Sequence, residues 1–212
     1  MAQQAGAANI PSAGPSPGSH HRVALPNDGI PFLTVRNITA GNGVSFENTK
    51  FIRPSDHAQF TKRAHPRRGD LLISKDGTLG VTRVIETDRP FSIFVSLALV
   101  RPRLDRIHPY FLKLFFDSDL AARQFEAKTL GSALQHLHLE EIGDVALPLP
   151  PMSEQIDIVT TTSEAAAKLR SVISAVANQA ALLREYRSAL ISAAVTGQLD
   201  LRQHENQLEA LA

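Results

Sequence analysis

The sequence predicts an α+β protein: a mixed β-sheet domain with short helices over residues 25 to 147, then one long coiled-coil-forming helix within residues 148 to 197. Three observations point there. Short Val-, Ile- and Phe-rich runs are separated by glycine turns in the first part of the chain. A stretch of about 40 residues without Gly or Pro follows, with apolar residues at helical spacing. The length of 212 residues, 43% of them hydrophobic, suits one cored domain and an appendage.

Residues 1 to 24 are rich in Ala, Gly, Pro, Ser and Gln, a composition that cannot offset the entropy of ordering, and are expected to form a flexible tail. From Pro31 to Ile38 apolar and polar residues alternate, which predicts a strand. Gly41-Asn42-Gly43 is a turn, with a short second strand expected near Val44–Phe46. Leu71–Ser74, Val81–Ile85 and Phe91–Val100 read as further strands, punctuated by Asp76-Gly77, Gly80 and Asp88-Arg89-Pro90. Pro109–Phe116 predicts a short helix, and Asp117 or Ser118 is placed to cap a second one running to Lys128. Gly131-Ser132 stops that helix, and Leu134–Leu139 alternates again. Pro148, Pro150 and Pro151 then give a rigid extended exit.

Ser153 is a suitable N-cap for the long helix, and Gly197 lies where a C-terminal glycine belongs. Leu169, Val172, Val176, Leu183, Tyr186, Leu190 and Ala193 follow one another at alternating intervals of three and four once Gln179 fills the gap. This is the seam of a coiled coil. At 1.5 Å per residue the helix spans roughly 60 Å. Such a helix cannot bury its own stripe, so it calls for a partner helix. Residues 198 to 212 are expected to be a C-terminal tail.

Composition excludes several classes. Without cysteine there is no disulfide framework, no Cys-based zinc site and no thiol nucleophile. No apolar stretch reaches membrane-spanning length, and residues 1 to 18 lack the basic start and apolar run of a secretory signal, so a cytoplasmic protein with no membrane partner is expected. The net charge of +1 announces no partner.

Locally the balance differs. From Lys50 to Arg83 eight basic residues face three acidic ones, a net +5. Concentrated charge of this kind is what phosphate neutralisation requires; a solvated loop is the competing reading. Lys62, Arg63, Arg67, Arg68 and Lys75 are the candidates for contact with a nucleic-acid backbone, and His136 is a further candidate at the same surface. His136 and His138 alternate on an extended segment but lack a third ligand for zinc, so no metal site is expected. Gly69–Gly80 has the glycines of a phosphate cradle without the Walker spacing, and turn chemistry accounts for it, Asp76 included. The chain holds no nucleophile elbow, no His-Glu-x-x-His, no dinucleotide fingerprint and no amino-methyltransferase tetrapeptide. The expectation is a non-catalytic protein with no catalytic residues and no cofactor.

Several of these pieces, in this order, resemble type I restriction-modification specificity subunits. Gly29–Ile38 is similar to a strand early in their target-recognition domains, and Gly69–Gly80 to their "GD-(aliphatic)₃-x₃-GT-(aliphatic)-G" hairpin. Gly131-Ser132 with Gln135-His136-Leu137 resembles a late "GS/T…HL" segment. Leu147–Ile156 resembles the "PLPPxxEQ-I" junction into the spacer helix, and Leu183–Gly197 the end of that helix. The resemblance spans residues 29 to 202. It implies a domain that reads one half of a bipartite site in double-stranded DNA and a spacer helix that sets the gap between halves. The implied partners are DNA methyltransferase subunits, a restriction subunit, and a second half-subunit packed antiparallel along the helix. The alternative is a truncated remnant that dimerises and docks methyltransferase without reading DNA. The opening strand and "lGd"-type motif usual in that family have no counterpart in residues 1 to 28, so a divergent or truncated start is expected.

Overall fold

The computed structural model describes residues 8–13, 28–129 and 136–198. The strands are β1 (Ala8–Ala13), β2 (Ile30–Leu33), β3 (Lys50–Ile52), β4 (Leu71–Ser74), β5 (Thr82–Val84), β6 (Ser92–Ile93) and β7 (Leu97–Pro102). The helices are α1 (Arg36–Thr39), α2 (Pro54–Phe60), α3 (Pro109–Phe116), α4 (Asp119–Thr129), α5 (Leu139–Gly143) and α6 (Met152–Val195). The chain divides into two units, Met1–Val159 and Thr160–Ala212, with the division inside α6.

The first sheet has the order β1-β7-β4-β5, with every pair antiparallel. The second has the order β3-β2-β6 and is mixed, since β2 pairs antiparallel with β3 and parallel with β6. The first sheet is buried on both faces. Leu71, Ile73, Ala98 and Val100 point into one core with Phe111, Leu112, Phe115 and Phe125 from α3 and α4. Leu72, Leu97 and Leu99 point into the other, against Leu33 and Ile93 of the second sheet. A strand covered on both sides has no reason to alternate, and β4 is accordingly apolar throughout apart from its final Ser74.

Several elements depart from the expectations. The flexible tail expected over residues 1 to 24 does not hold for Ala8–Ala13, which form β1 and pair with β7. The pairing slips between Asn9 and Ser12, the stretch that contains Pro11. A proline has no N–H for a ladder, and an irregularity on an edge strand is where one is tolerated. The strand expected over Pro31–Ile38 ends at Leu33, and Arg36–Thr39 coils into α1. The cause is local. Asn37 Oδ1 accepts from the backbone N–H of Thr34 at 2.9 Å, and Thr39 N–H donates to the Val35 carbonyl at 3.1 Å. The second strand falls at Lys50–Ile52 rather than at Val44–Phe46, and Phe91–Val100 splits into β6 and β7. The short α2, entered through Pro54, lies in a stretch where no helix was expected.

The second half follows the sequence more closely. Ser118 takes the cap position of α4, its Oγ accepting from Ala121 N–H at 3.4 Å. The expected stop at Gly131-Ser132 lies outside the described residues. Helix α6 starts one residue before its expected cap, at Met152. It ends at Val195, and beyond it, at Gly197 (φ +72°), Gln198 N–H donates to Ala193 O at 2.8 Å and Gly197 N–H to Ala194 O at 3.2 Å. These two bonds make a Schellman closure. Among the described residues no helix is long and apolar enough to cross a membrane.

Candidate nucleic-acid interface

Four of the candidate basic residues, Lys62, Arg63, Arg67 and Arg68, fall between α2 and β4 and Lys75 directly follows β4, but the structure does not treat them alike. Lys62 and Arg63 sit in the turn that closes α2, with Arg63 N–H bonded to the Phe60 carbonyl at 3.0 Å, and both side chains are exposed. Arg67 and Arg68 follow on the loop into β4 and are exposed as well. That loop is held from below. Asp70, 3% exposed, accepts the Arg67 backbone N–H at 2.9 Å and receives both Nε and Nη2 of Arg101, at 2.8 and 2.7 Å. Arg101 Nη2 also donates to the His65 carbonyl at 2.7 Å, tying the two ends of the loop to one guanidinium.

Arg68 forms a two-pronged ion pair with Asp88 at 2.7 to 3.1 Å. The carboxylate raises the affinity of Arg68 for its proton, and the guanidinium holds Asp88 below the usual carboxylate range. Both side chains are largely exposed, so the pair adds little to stability and competes with any phosphate for Arg68. Lys62, Arg63 and Arg67 have no ion-pair partner among the described residues.

Lys75 requires a correction. Expected as a surface contact, it is 5% exposed. Burial pushes its ammonium below its ordinary range, the nearby Arg63 adds to that, and Asp76 works against it. A buried ammonium cannot reach a phosphate; it is engaged inside the domain instead. Its Nζ lies 3.3 Å from His136 Nε2, while His136 Nδ1 is bonded to Asp76 Oδ1. An ammonium can only donate, so Nε2 accepts and the imidazole proton sits on Nδ1, pointing at the carboxylate. The backbones join too: Leu137 N–H donates to Lys75 O at 2.9 Å, and Asp76 and His136 form an antiparallel bridge. His138 stacks edge-on against His136, with centroids 4.9 Å apart.

The sequence reading missed the residues facing this cluster. Thr34, Arg36, Asn48 and Lys50 line a cavity of about 670 Å³ together with Asp76 and Thr78. Asn37, 6% exposed, builds that wall: its Nδ2 donates to the carbonyls of Ser45 and Glu47 and to Thr49 Oγ1, at 3.1 to 3.3 Å. This holds the loop that carries Asn48, the one non-glycine residue at positive φ (51°) among the described residues. No local signal marks Asp76 and His136 as partners, since 60 residues separate them.

On the long helix, Leu169, Val172, Val176, Leu183 and Tyr186 are 57 to 68% exposed, and Leu190 is half-buried. Ile173 and Leu182 flank this row, 59% and 64% exposed. A contiguous apolar face of this kind marks an interaction surface.

A two-sheet α+β unit with a basic loop, continued by a long helix with an uncovered apolar row, has the architecture of a restriction-modification specificity subunit. The family model for the type I restriction modification DNA specificity domain matches residues 21–171, and the chain belongs to that family. The specificity subunit of the type I restriction enzyme EcoBI from Escherichia coli is 25% identical over 193 residues, 87% of this chain and 40% of that protein. The fold is shared with a solved structure from work on complex assembly and conformational transition of the type I R-M system (TM-score 0.67, 22% identity, 86% of this chain and 42% of the other). It is also shared with the HsdS subunit from Thermoanaerobacter tengcongensis (TM-score 0.53, 21% identity, 80% and 37%). The chain thus spans about 40% of the length of the curated relative it matches.

Proposed function

We propose that this chain is a non-catalytic, cytoplasmic subunit that reads one half of a bipartite DNA site and directs methyltransferase subunits, and with them a restriction subunit, to it. The observation that carries the reading is the segment from the α2 turn to the loop braced by Asp70 and Arg101, which presents exposed Lys62, Arg63 and Arg67, without ion-pair partners among the described residues, on a recognition-domain fold. Those three cations engage phosphates, and Arg68 joins them only by leaving Asp88. The uncovered row on α6 pairs with the same row of a second copy. Two readers in inverted orientation then favour a palindromic site with a fixed gap.

The test is binding of the full chain to duplex DNA across a salt series. Replacing Arg63 and Arg67 by Ala removes two phosphate contacts, so the slope of log K against log salt falls by about 1.8 in magnitude, for specific and random sequence alike. Unchanged affinity and slope would overturn the assignment. A second reading, a docking protein that dimerises and holds methyltransferase without touching DNA, draws on the same helix row. It predicts no mobility shift of DNA with or without a co-expressed methyltransferase. Methylome mapping of cells expressing both proteins reports the site and its symmetry.

A further inference from the structure

The carboxylate at the tip of the β4–β5 turn is out of place on a surface meant for phosphates. Asp76 lines the same cavity as Arg36 and Lys50, and a phosphate brought to those cations meets its negative charge. Its position is nevertheless tightly fixed. His136 donates to Oδ1, Lys75 fixes the tautomer that makes His136 a donor there, and the isolated Asp76–His136 backbone bridge joins the two segments. The turn itself is closed by hydrogen bonds. Ser74 Oγ donates to the Thr78 carbonyl and accepts Val81 N–H at 2.9 Å, Gly80 N–H donates to Ser74 O at 2.9 Å, and Gly77 and Gly80 supply the positive φ the turn needs. Asp76 Oδ2 has no hydrogen-bond partner among the described residues, and the side chain is 37% exposed.

The turn also has a distinctive setting. Gly77 and Thr78 line cavities on both sides, one of about 670 Å³ with Arg36 and Lys50, the other of about 750 Å³ with Arg83, Asp117 and Asp119. Only the first has the sign for a DNA strand. Placed in a DNA major groove, the tip would have one backbone beside Arg36 and Lys50.

In that groove most groups would repel a carboxylate: guanine N7 and O6, adenine N7, thymine O4 and every phosphate are acceptors. Only the amino groups of cytosine and adenine donate, and the usual partner of a carboxylate is cytosine N4. We propose that Asp76 is a specificity-determining residue that accepts a hydrogen bond from a cytosine amino group through Oδ2, with His136 and Lys75 as its positioning residues. The proposal rests on the reading that this chain binds DNA. It gives His136 a role one step behind the DNA surface, and it explains why Lys75 is buried in a basic segment.

The test is selection of the full chain on a randomised duplex library, followed by sequencing. The wild type enriches a motif with a cytosine that Asp76→Asn exchanges for adenine, whose N6 and N7 suit an amide, while the salt slope stays as in the wild type. Asp76→Glu keeps the charge but shifts it by one methylene; it loses discrimination at that position by about tenfold without exchanging the base, and it serves as the readout if the Asn variant does not fold. His136→Ala weakens discrimination at the same position and at no other, and His136→Asn, which restores a donor to Asp76, recovers part of it. A wild-type motif left unchanged by both Asp76 variants overturns the proposal and leaves DNA reading intact. A wild type that enriches no sequence overturns DNA reading, and the assignment with it.

Discussion

Gln155 ties the first turn of α6 to the domain, and its replacement has a cost that can be worked out bond by bond. The side chain is fully buried. Oε1 accepts His108 N–H at 2.8 Å, and Nε2 donates to the carbonyls of Arg106 at 3.0 Å and Pro150 at 2.9 Å. Gln155→Ala removes three hydrogen bonds worth about 1 kcal/mol each and leaves their backbone partners to find water. Those partners are only half-buried, so water reaches part of the way, and the expected loss is about 3 kcal/mol, at the upper end of ordinary single substitutions. Gln155→Glu is the sharper probe. It keeps an acceptor for His108 but sets a second carboxylate oxygen against two carbonyls, which disfavours the ionised form and raises the folded-state pKa above that of the unfolded chain. Its stability is therefore fully present at low pH and is lost as pH rises through the folded value. Urea denaturation of the full chain, followed by far-ultraviolet circular dichroism at pH 4 and pH 7, measures both effects. A Gln155→Ala loss below about 0.5 kcal/mol, the scale of a surface substitution, would refute the reasoning, as would a Glu variant equally stable at both pH values.

Other expectations follow from the same bonds and burials. Asp70→Ala strands the partly buried Arg101 guanidinium and frees the Arg67 loop, costing about 3 kcal/mol in equilibrium unfolding; a loss under 1 kcal/mol would mean that the loop is held by something else. Lys75→Met removes a buried ammonium held below its ordinary value of 10.5. In the wild type the burial penalty acts at all pH below the folded value and is relieved as pH rises from there towards 10.5, so the midpoint of the Met variant minus that of the wild type falls between pH 7 and pH 10 in thermal scans. A constant difference would deny the buried charge. On the proposed pairing of the α6 rows, Val176→Glu combined with Leu183→Glu places charges in the exposed row and abolishes self-association in sedimentation velocity, with the thermal midpoint of the domain unchanged; association that survives would place the contact elsewhere.

What could be read from sequence is what neighbours along the chain decide. Helix α6, its apolar row, its glycine closure, helix α3 and the apolar run of β4 all follow from residues within a few positions of one another, where backbone periodicity brings side chains together without help. The density of cations between Lys50 and Arg83 was legible for the same reason. Which of those cations are displayed was not. Lys75 is buried and Arg68 paired because His136 and Asp88 come back from 61 and 20 residues away. Strand β1 was invisible because its six residues have little strand character of their own and acquire it from β7, about 90 positions later. Sequence by itself thus determined an α+β domain joined to an unpartnered helix, a basic loop and the family resemblance. Only the tertiary structure decided that Asp76, dismissed as a turn residue, is braced at a surface, since hydrogen bonds between distant segments form only after the chain has folded.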